Sequence, residues 1–282
     1  MEAPTLFHDP TSEPSRAVHW FTLEAHIGVD VRYIWLSRRQ HLGEELLAVN
    51  SRHQVPAFRD GDFCLSEATA IIRYLAEISN VESQWLGSST RERARVNQLL
   101  SWYHTNLRTK ATLQYFLPVL LGPAYRGRPR PSDDLLRDLR GQLRGTLEQV
   151  NEFLGSDPFL VGSRPTVPDL LFGCEIFALD CDDERDVYLA GLTHLLSWLT
   201  RLRCLGGYAE SHKAWNAVAP LMQQKLSEGV APGSQPFWVA DVSERALGLS
   251  TTPNEGGAVA VANVRRSSAS GGSLKAFSGP IG

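Results

Sequence analysis

Every stretch with strand character in this chain falls before residue 67, and every apolar repeat after residue 90 has helical spacing. That division calls for one small α/β unit followed by an all-helical unit. Thr5-Leu-Phe-His8 reads as a short strand, and the turn cluster Asp9-Pro-Thr-Ser-Glu-Pro-Ser15 follows it. A helix over Arg16 to His26 carries Ala17, Phe21 and Ala25 on one face, with Gly28 where a C-terminal glycine belongs. Val31 to Leu36 alternates and is rich in β-branched and aromatic residues, so it suits a strand; Leu42 to Val49 suits a short helix. Val55-Pro-Ala-Phe-Arg59 and Phe63-Cys-Leu65 flank Asp60-Gly61, a hairpin signal. Ser66 then opens a helix with Ala70, Ile71, Tyr74, Leu75 and Ile78 on one face. The expected order is βαβ, then ββα.

In the second part Val96, Leu99, Leu100, Tyr103 and Leu107 form a stripe on a helix expected to end or kink near Pro118. Leu136, Leu139, Leu143, Leu147, Val150 and Leu154 mark a second long helix. Pro168 to Leu179 is apolar nearly all round, which predicts the buried centre of a helical domain. Thr166-Val-Pro-Asp169 has capping-box spacing, so Asp169 is assigned to folding, as a cap worth about 1 kcal/mol. Leu192 to Leu205 and Tyr208 to Leu226 supply further helices. The predicted organisation is an α/β domain over 1–80, a linker over 81–89, a helical domain over 90–230 and an extension over 231–282. Within the extension, 18 of the 32 residues in 251–282 are Gly, Ala, Ser or Pro, so that stretch is expected to be disordered.

Composition narrows the partners. A length of 282 residues fits two domains of about 150. The net charge of −3 leaves no basic footprint, so nucleic acid is not expected as a partner. The longest apolar run, Tyr115 to Leu121, is seven residues with a proline inside, too short to span a membrane. Glu2, His8, Asp9 and Glu13 interrupt any signal-peptide pattern, and the four cysteines form no C-x-x-C, so a cytoplasmic location is expected. No His or Cys cluster has metal-ligand spacing, and no metal is expected.

Chemistry concentrates in three short motifs. Ser12-Glu-Pro-Ser15 lies in the first strand-to-helix turn, Val55-Pro56 precedes a strand, and Ser66-Glu67-Ala68 begins the helix after the hairpin. A hydroxyl at a helix N-terminus can donate to an anion while the positive end of the helix favours negative charge. In order and placement these motifs resemble the glutathione transferases. Leu6 to Ala17, Arg39-Gln-His41, Ser51-Arg-His-Gln-Val-Pro56, Asp60-Gly-Asp-Phe63 and Arg91 to Arg108 with its Trp102 resemble the theta class in particular. Trp85-Leu-Gly and Glu92-Arg-Ala are similar to the bacterial dehalogenases of the same branch. The resemblance spans about residues 4–230.

The resemblance implies a thioredoxin-like N-terminal domain followed by an all-helical domain, with glutathione as co-substrate. It makes Ser12 the hydroxyl that stabilises the glutathione thiolate, with Ser15 as the fallback donor. Pro56 is then a cis proline that turns Val55 so that its backbone pairs with the cysteinyl residue. Glu67 faces the γ-glutamyl ammonium, and the amide of Ala68 faces the carboxylate. His41 receives the glycyl carboxylate, and Arg108 steers an anionic leaving group. Tyr103, Ala111, Tyr115 and Phe116 are candidate walls of the electrophile pocket. A homodimer with Arg16 near the interface is also implied. The chain departs from the theta pattern at Gln54, where lysine is usual, at Ala68, where serine is usual, and at Thr105, where aspartate is frequent. Alternatives are a glutathione-dependent dehalogenase, and a non-catalytic scaffold or ligand-binding module of the same fold.

Overall fold

The sheet is built almost wholly from the first 66 residues. In a computed structural model that describes residues 3–231, 236–249 and 261–262, β1 (Thr5–His8) runs parallel to β2 (Asp30–Tyr33). The crossover between them is α1 (Glu13–Glu24). β3 (Ala57–Asp60) lies antiparallel to β1 on the other side and pairs with β4 (Phe63–Ser66) through a two-residue loop at Gly61 and Asp62. The turn sits one residue beyond the predicted Asp60-Gly61, and Gly61 takes the left-handed φ of 60° that the loop needs. Leu6 and Phe58 face the main core, whereas Phe7, Ile34 and Ala57 pack with Leu46 of α2 (Glu44–Leu47) on the opposite face. Both faces of the sheet are therefore covered. α3 (Ala68–Ile78) lies on the main-core face and buries Ile71, Ile72, Leu75 and Ala76. The span read as a linker holds a short helix, α4 (Glu82–Trp85), because Trp85 is buried edge-on against Phe21.

The remaining described chain is helical up to the last strand. α5 (Thr90–Thr105) opens on Ser89, whose side chain accepts from the Glu92 amide at 3.2 Å. The break expected at Pro118 occurs earlier, at Asn106, and the chain continues as a π-helical stretch, Arg108–Leu121, that passes through Pro118. α6 (Gly122–Arg126), α7 (Asp133–Leu154) and α8 (Val167–Phe177) follow, and every residue of α8 is buried. α9 (Arg185–Leu189), α10 (Thr193–Arg203), α11 (Tyr208–Ser211) and α12 (Lys213–Glu228) surround it. Gly173 lets α8 pass close to its neighbours: a Cβ there would meet Leu202 at 2.7 Å and Trp20 at 3.5 Å. Arg16, expected near a subunit interface, is fully buried inside the chain at the junction of α1 and α8.

The C-terminal extension returns to the sheet. α13 (Phe237–Leu247) places Ala240 on Val31, Tyr33 and Trp35, and Arg38 bridges to Asp241 and Glu244 at 2.6 Å each. Val261–Ala262 form β5, antiparallel to β2. The rest of the stretch 251–282, expected to be disordered, lies outside the described residues. Among the described residues no helix is long and apolar enough to cross a membrane.

Asp169 does more than cap α8. Its carboxylate accepts from the Thr166 amide and hydroxyl at 2.8 Å each, from the Leu160 amide at 2.9 Å and from the Trp198 indole at 2.8 Å. All of these groups are buried, so removing the acceptor strands several donors at once. Asp169→Ala should therefore cost about 3–5 kcal/mol in chemical denaturation, well above the 1 kcal/mol of a simple cap.

Candidate functional site

A cleft of about 620 Å³ opens between the sheet and the helices, and the β1–α1 turn forms its floor. Asp9 shapes that turn. One carboxylate oxygen accepts from the Thr11 amide at 2.7 Å and hydroxyl at 2.6 Å, and the other accepts from the Leu36 amide at 2.7 Å. Ser12 follows as the N-cap of α1, but its hydroxyl makes no cap bond and lines the cleft at the positive end of the helix. Ser15, the fallback donor, is fully buried and does not line the cleft, since it lies one turn inside α1.

One wall is polar and comes from the sheet side. His41, Gln54, Val55, Glu67 and Ala68 all line it, and the Val55–Pro56 peptide bond is cis. Glu67 stands at the start of α3 with φ 73° and ψ 114°, a backbone conformation that costs about 1–3 kcal/mol for a residue with a side chain. His53 donates from its ring to the His41 carbonyl at 2.8 Å. Burial, then the neighbouring His53 and Arg39, hold the His41 imidazole below its ordinary pKa. Thr105 is exposed and lies outside the cleft, which His104 lines in its place.

The other wall is helical and largely apolar. Arg108, Thr112, Leu113, Phe116, Leu117 and Leu121 face the cleft from the π-helical stretch. Bonds from i to i+5 put more residues in each turn than an α-helix has, so the lining recurs at steps of four and five. This is why two of the residues expected in the pocket are elsewhere. Ala111 is buried in the core, and Tyr115 turns away to donate to Asp182 at 2.6 Å while accepting from Arg140 at 3.2 Å. Tyr103, by contrast, reaches the cleft as well as the core.

Beneath this wall lies a charge cluster that the periodicity of the chain did not reveal. Glu175 is fully buried on α8 and accepts from Tyr103 at 2.5 Å, from Arg108 at 2.5 Å and from the Thr112 hydroxyl. Burial opposes charge on Arg108, but the Glu175 carboxylate outweighs it and holds the guanidinium protonated. Glu13, the residue after Ser12, is buried at the cleft, and one of its carboxylate oxygens has no hydrogen-bond partner. Burial, reinforced by Glu175 and opposed by Arg108 and Arg16, pushes its pKa up to about 7. The available sequence signal was a Glu in the middle of a buried helix, Pro168 to Leu179, that is apolar apart from it and the capping Asp169, where an acid needs a partner. Among the described residues no group of three or more potential ligands could hold a metal ion.

The pattern described as the glutathione S-transferase N-terminal domain matches residues 6–83. Glutathione S-transferase theta-1 of Homo sapiens is 30% identical over 241 residues, covering 78% of this chain and 95% of that protein. The chain belongs to the glutathione S-transferase family. Within it the likeness is theta: theta-3 of Mus musculus is 34% identical over 183 residues, 61% of this chain and 75% of that protein. Among solved structures, apo human glutathione-S-transferase T1-1 superposes with a TM-score of 0.71 at 27% identity, over 87% of this chain and 99% of that one. Human theta-2 in complex with glutathione and an unknown ligand gives 0.69 at 27% identity, over 86% and 99%. The thioredoxin-like and all-helical halves expected for the family are both present.

The Glu13 carboxyl makes this member's stability depend on pH. Its folded pKa of about 7 lies above the ordinary 4.5, so the folded state holds a proton that the unfolded state has lost between those values. Stability accordingly falls as pH rises through that window. Glu13→Gln should remove the penalty: urea melts should show no gain near pH 4 and a gain of roughly 3 kcal/mol at pH 8.

Proposed function

We propose that this theta-like transferase activates the thiol of glutathione with Ser12 and directs it at an electrophile held against the helical wall. The observation that carries this reading is the Ser12 hydroxyl at the N-terminus of α1, which makes no cap bond and is set between a polar and an apolar wall of one cleft. The human theta-2 structure was solved with glutathione, which supports the choice of co-substrate. The tripeptide lies along the polar wall. The backbone of Val55 pairs with its cysteinyl residue, Glu67 faces the γ-glutamyl ammonium, and the Ala68 amide meets the γ-glutamyl carboxylate at the start of α3. His41 and Gln54 serve the glycyl end, where a neutral His41 donates one N–H.

Ser12 donates to the sulfur and favours its ionised form, so the thiol releases its proton to solvent at lower pH. The thiolate then attacks carbon: an S–C bond forms, the bond to the leaving group breaks, and that group departs with the electron pair. Halide displacement, epoxide opening and conjugate addition all fit a wall built from Phe116, Leu113 and Leu117. Arg108 faces a departing anion, but its charge is matched by Glu175, so its pull is weaker than that of an unpaired guanidinium. Pairing of two copies and a cytoplasmic location go with this reading; sedimentation and fractionation test them. The domain limits near residues 80 and 90 also belong to it.

A second reading, a non-catalytic module of the same fold, draws on Gln54 and Ala68, which lack the charge and the hydroxyl of the theta pattern. Calorimetric titration with glutathione, together with turnover of an aryl halide, separates the two. Halide release from small chloroalkanes identifies a dehalogenase. Ser12→Ala should lower the rate about 10- to 100-fold, as expected for one lost bond to a charged sulfur. Its pH–rate profile should move to higher pH, because the bound thiol ionises less readily. An unchanged rate and profile would remove Ser12 from the mechanism.

A further inference from the structure

Arg52 and Glu67 form an ion pair inside the cleft whose chemistry matches more than its stabilising value explains. The Arg52 Nη2 donates to Glu67 Oε1 at 2.7 Å and to Ser66 Oγ at 2.9 Å. Both side chains remain more than half exposed, at 54% and 57%, and both line the cleft. Ion pairs this exposed contribute little to folding. Yet the loop beneath Arg52 is firmly held. Asn50 is buried; its side chain accepts from the Arg52 amide at 3.1 Å and donates to the Gln54 carbonyl at 2.9 Å. The Nε and Nη1 groups of Arg52 make no hydrogen bond among the described residues, so donors on two of its three nitrogens remain available. Glu67, its partner, sits in the strained backbone conformation described above.

We propose that Arg52 is the cation that binds the γ-glutamyl α-carboxylate of glutathione, with Glu67 beside it for the ammonium, so that the pair reads the zwitterionic end of the peptide. The inference rests on the glutathione reading and extends it to a residue to which the resemblance gave no role. Charge balance favours the assignment. Glu67 alone matches the ammonium, but Ala68 supplies no hydroxyl and Gln54 no charge, so without Arg52 the carboxylate meets helix amides and the Ser66 hydroxyl but no cation at the start of α3. Of the other basic groups in the cleft, Arg126 stands at the end of α6 in the helical half, Arg108 is bound to Glu175, and His41 is held toward its neutral form. The Nε–H or an Nη1–H can meet the carboxylate with a charge-assisted bond while Nη2 keeps Glu67.

The test compares glutathione with 4-aminobutyryl-cysteinylglycine, which keeps the ammonium and lacks the α-carboxylate, by calorimetry on the full chain. Arg52→Gln should weaken glutathione binding about 10- to 100-fold and leave binding of the analogue unchanged. Arg52→Lys should recover part of the loss, because an ammonium restores the charge but not the fork. Thermal melts of both variants should match the wild type, as expected for an exposed pair. Equal weakening of both peptides, or no weakening of either, overturns the assignment while the glutathione reading stands. If the wild-type chain binds neither peptide, both ideas fall together.

Discussion

Arg16 is fully buried, and among the described residues its guanidinium has no carboxylate at ion-pair distance. A cation in that position is costly unless its donors find acceptors, and among the described residues both terminal nitrogens do while Nε does not. Its partners are backbone carbonyls: Thr11 at 2.8 Å, Pro10 at 3.4 Å and Cys174 at 3.3 Å. The indole of Trp215 lies under the guanidinium at 4.9 Å. Three separate pieces of chain thus converge on one charge: the turn before α1, the centre of α8 and the start of α12. Ser12 lies next to one of those carbonyls, so its hydroxyl is positioned by contacts from the helical half as well as by Asp9.

The same junction contains a second buried charge of opposite sign. Glu175 stands next to Cys174 on α8 and binds Tyr103 of α5 together with Arg108 and Thr112 of the π-helical stretch. A carboxylate so placed orders the wall that would hold the electrophile, and its field reaches Glu13 on the floor of the cleft. Floor and wall are therefore electrostatically linked through α8. Of the two acids on this apolar helix, Asp169 serves its N-terminus and Glu175 makes that link.

Much of this was legible in the chain. The strand and helix order, the central buried helix, and the places of Ser12, Val55, Glu67 and Ala68 along one cleft followed from turn residues, capping patterns and the resemblance. The helical wall was not. An α-helical stripe running through Tyr103 and Leu107 points to Ala111 and Tyr115, but the backbone widens into i to i+5 bonding and rotates them into the core. Local propensity carries no mark of that change, and the two partners of Tyr115, Asp182 and Arg140, come from distant segments. Arg16, which the resemblance places near a subunit interface, is buried within the chain, and the carbonyls that receive it come together only in the fold.

What the sequence determines by itself is therefore local and periodic. The confinement of strands to the first 66 residues sets the fold class, and the hydroxyl in the first strand-to-helix turn sets the chemistry available there. Only the tertiary structure decided which charges are buried, which are paired and which face the cleft. Arg16, Arg52 and Arg108 are alike as letters, yet one joins the two halves through carbonyls, one pairs with Glu67 in the open cleft, and one is bound to a buried acid. The reason is that the cost of a charge depends on its desolvation and on partners from distant segments, and neither exists until the chain has folded.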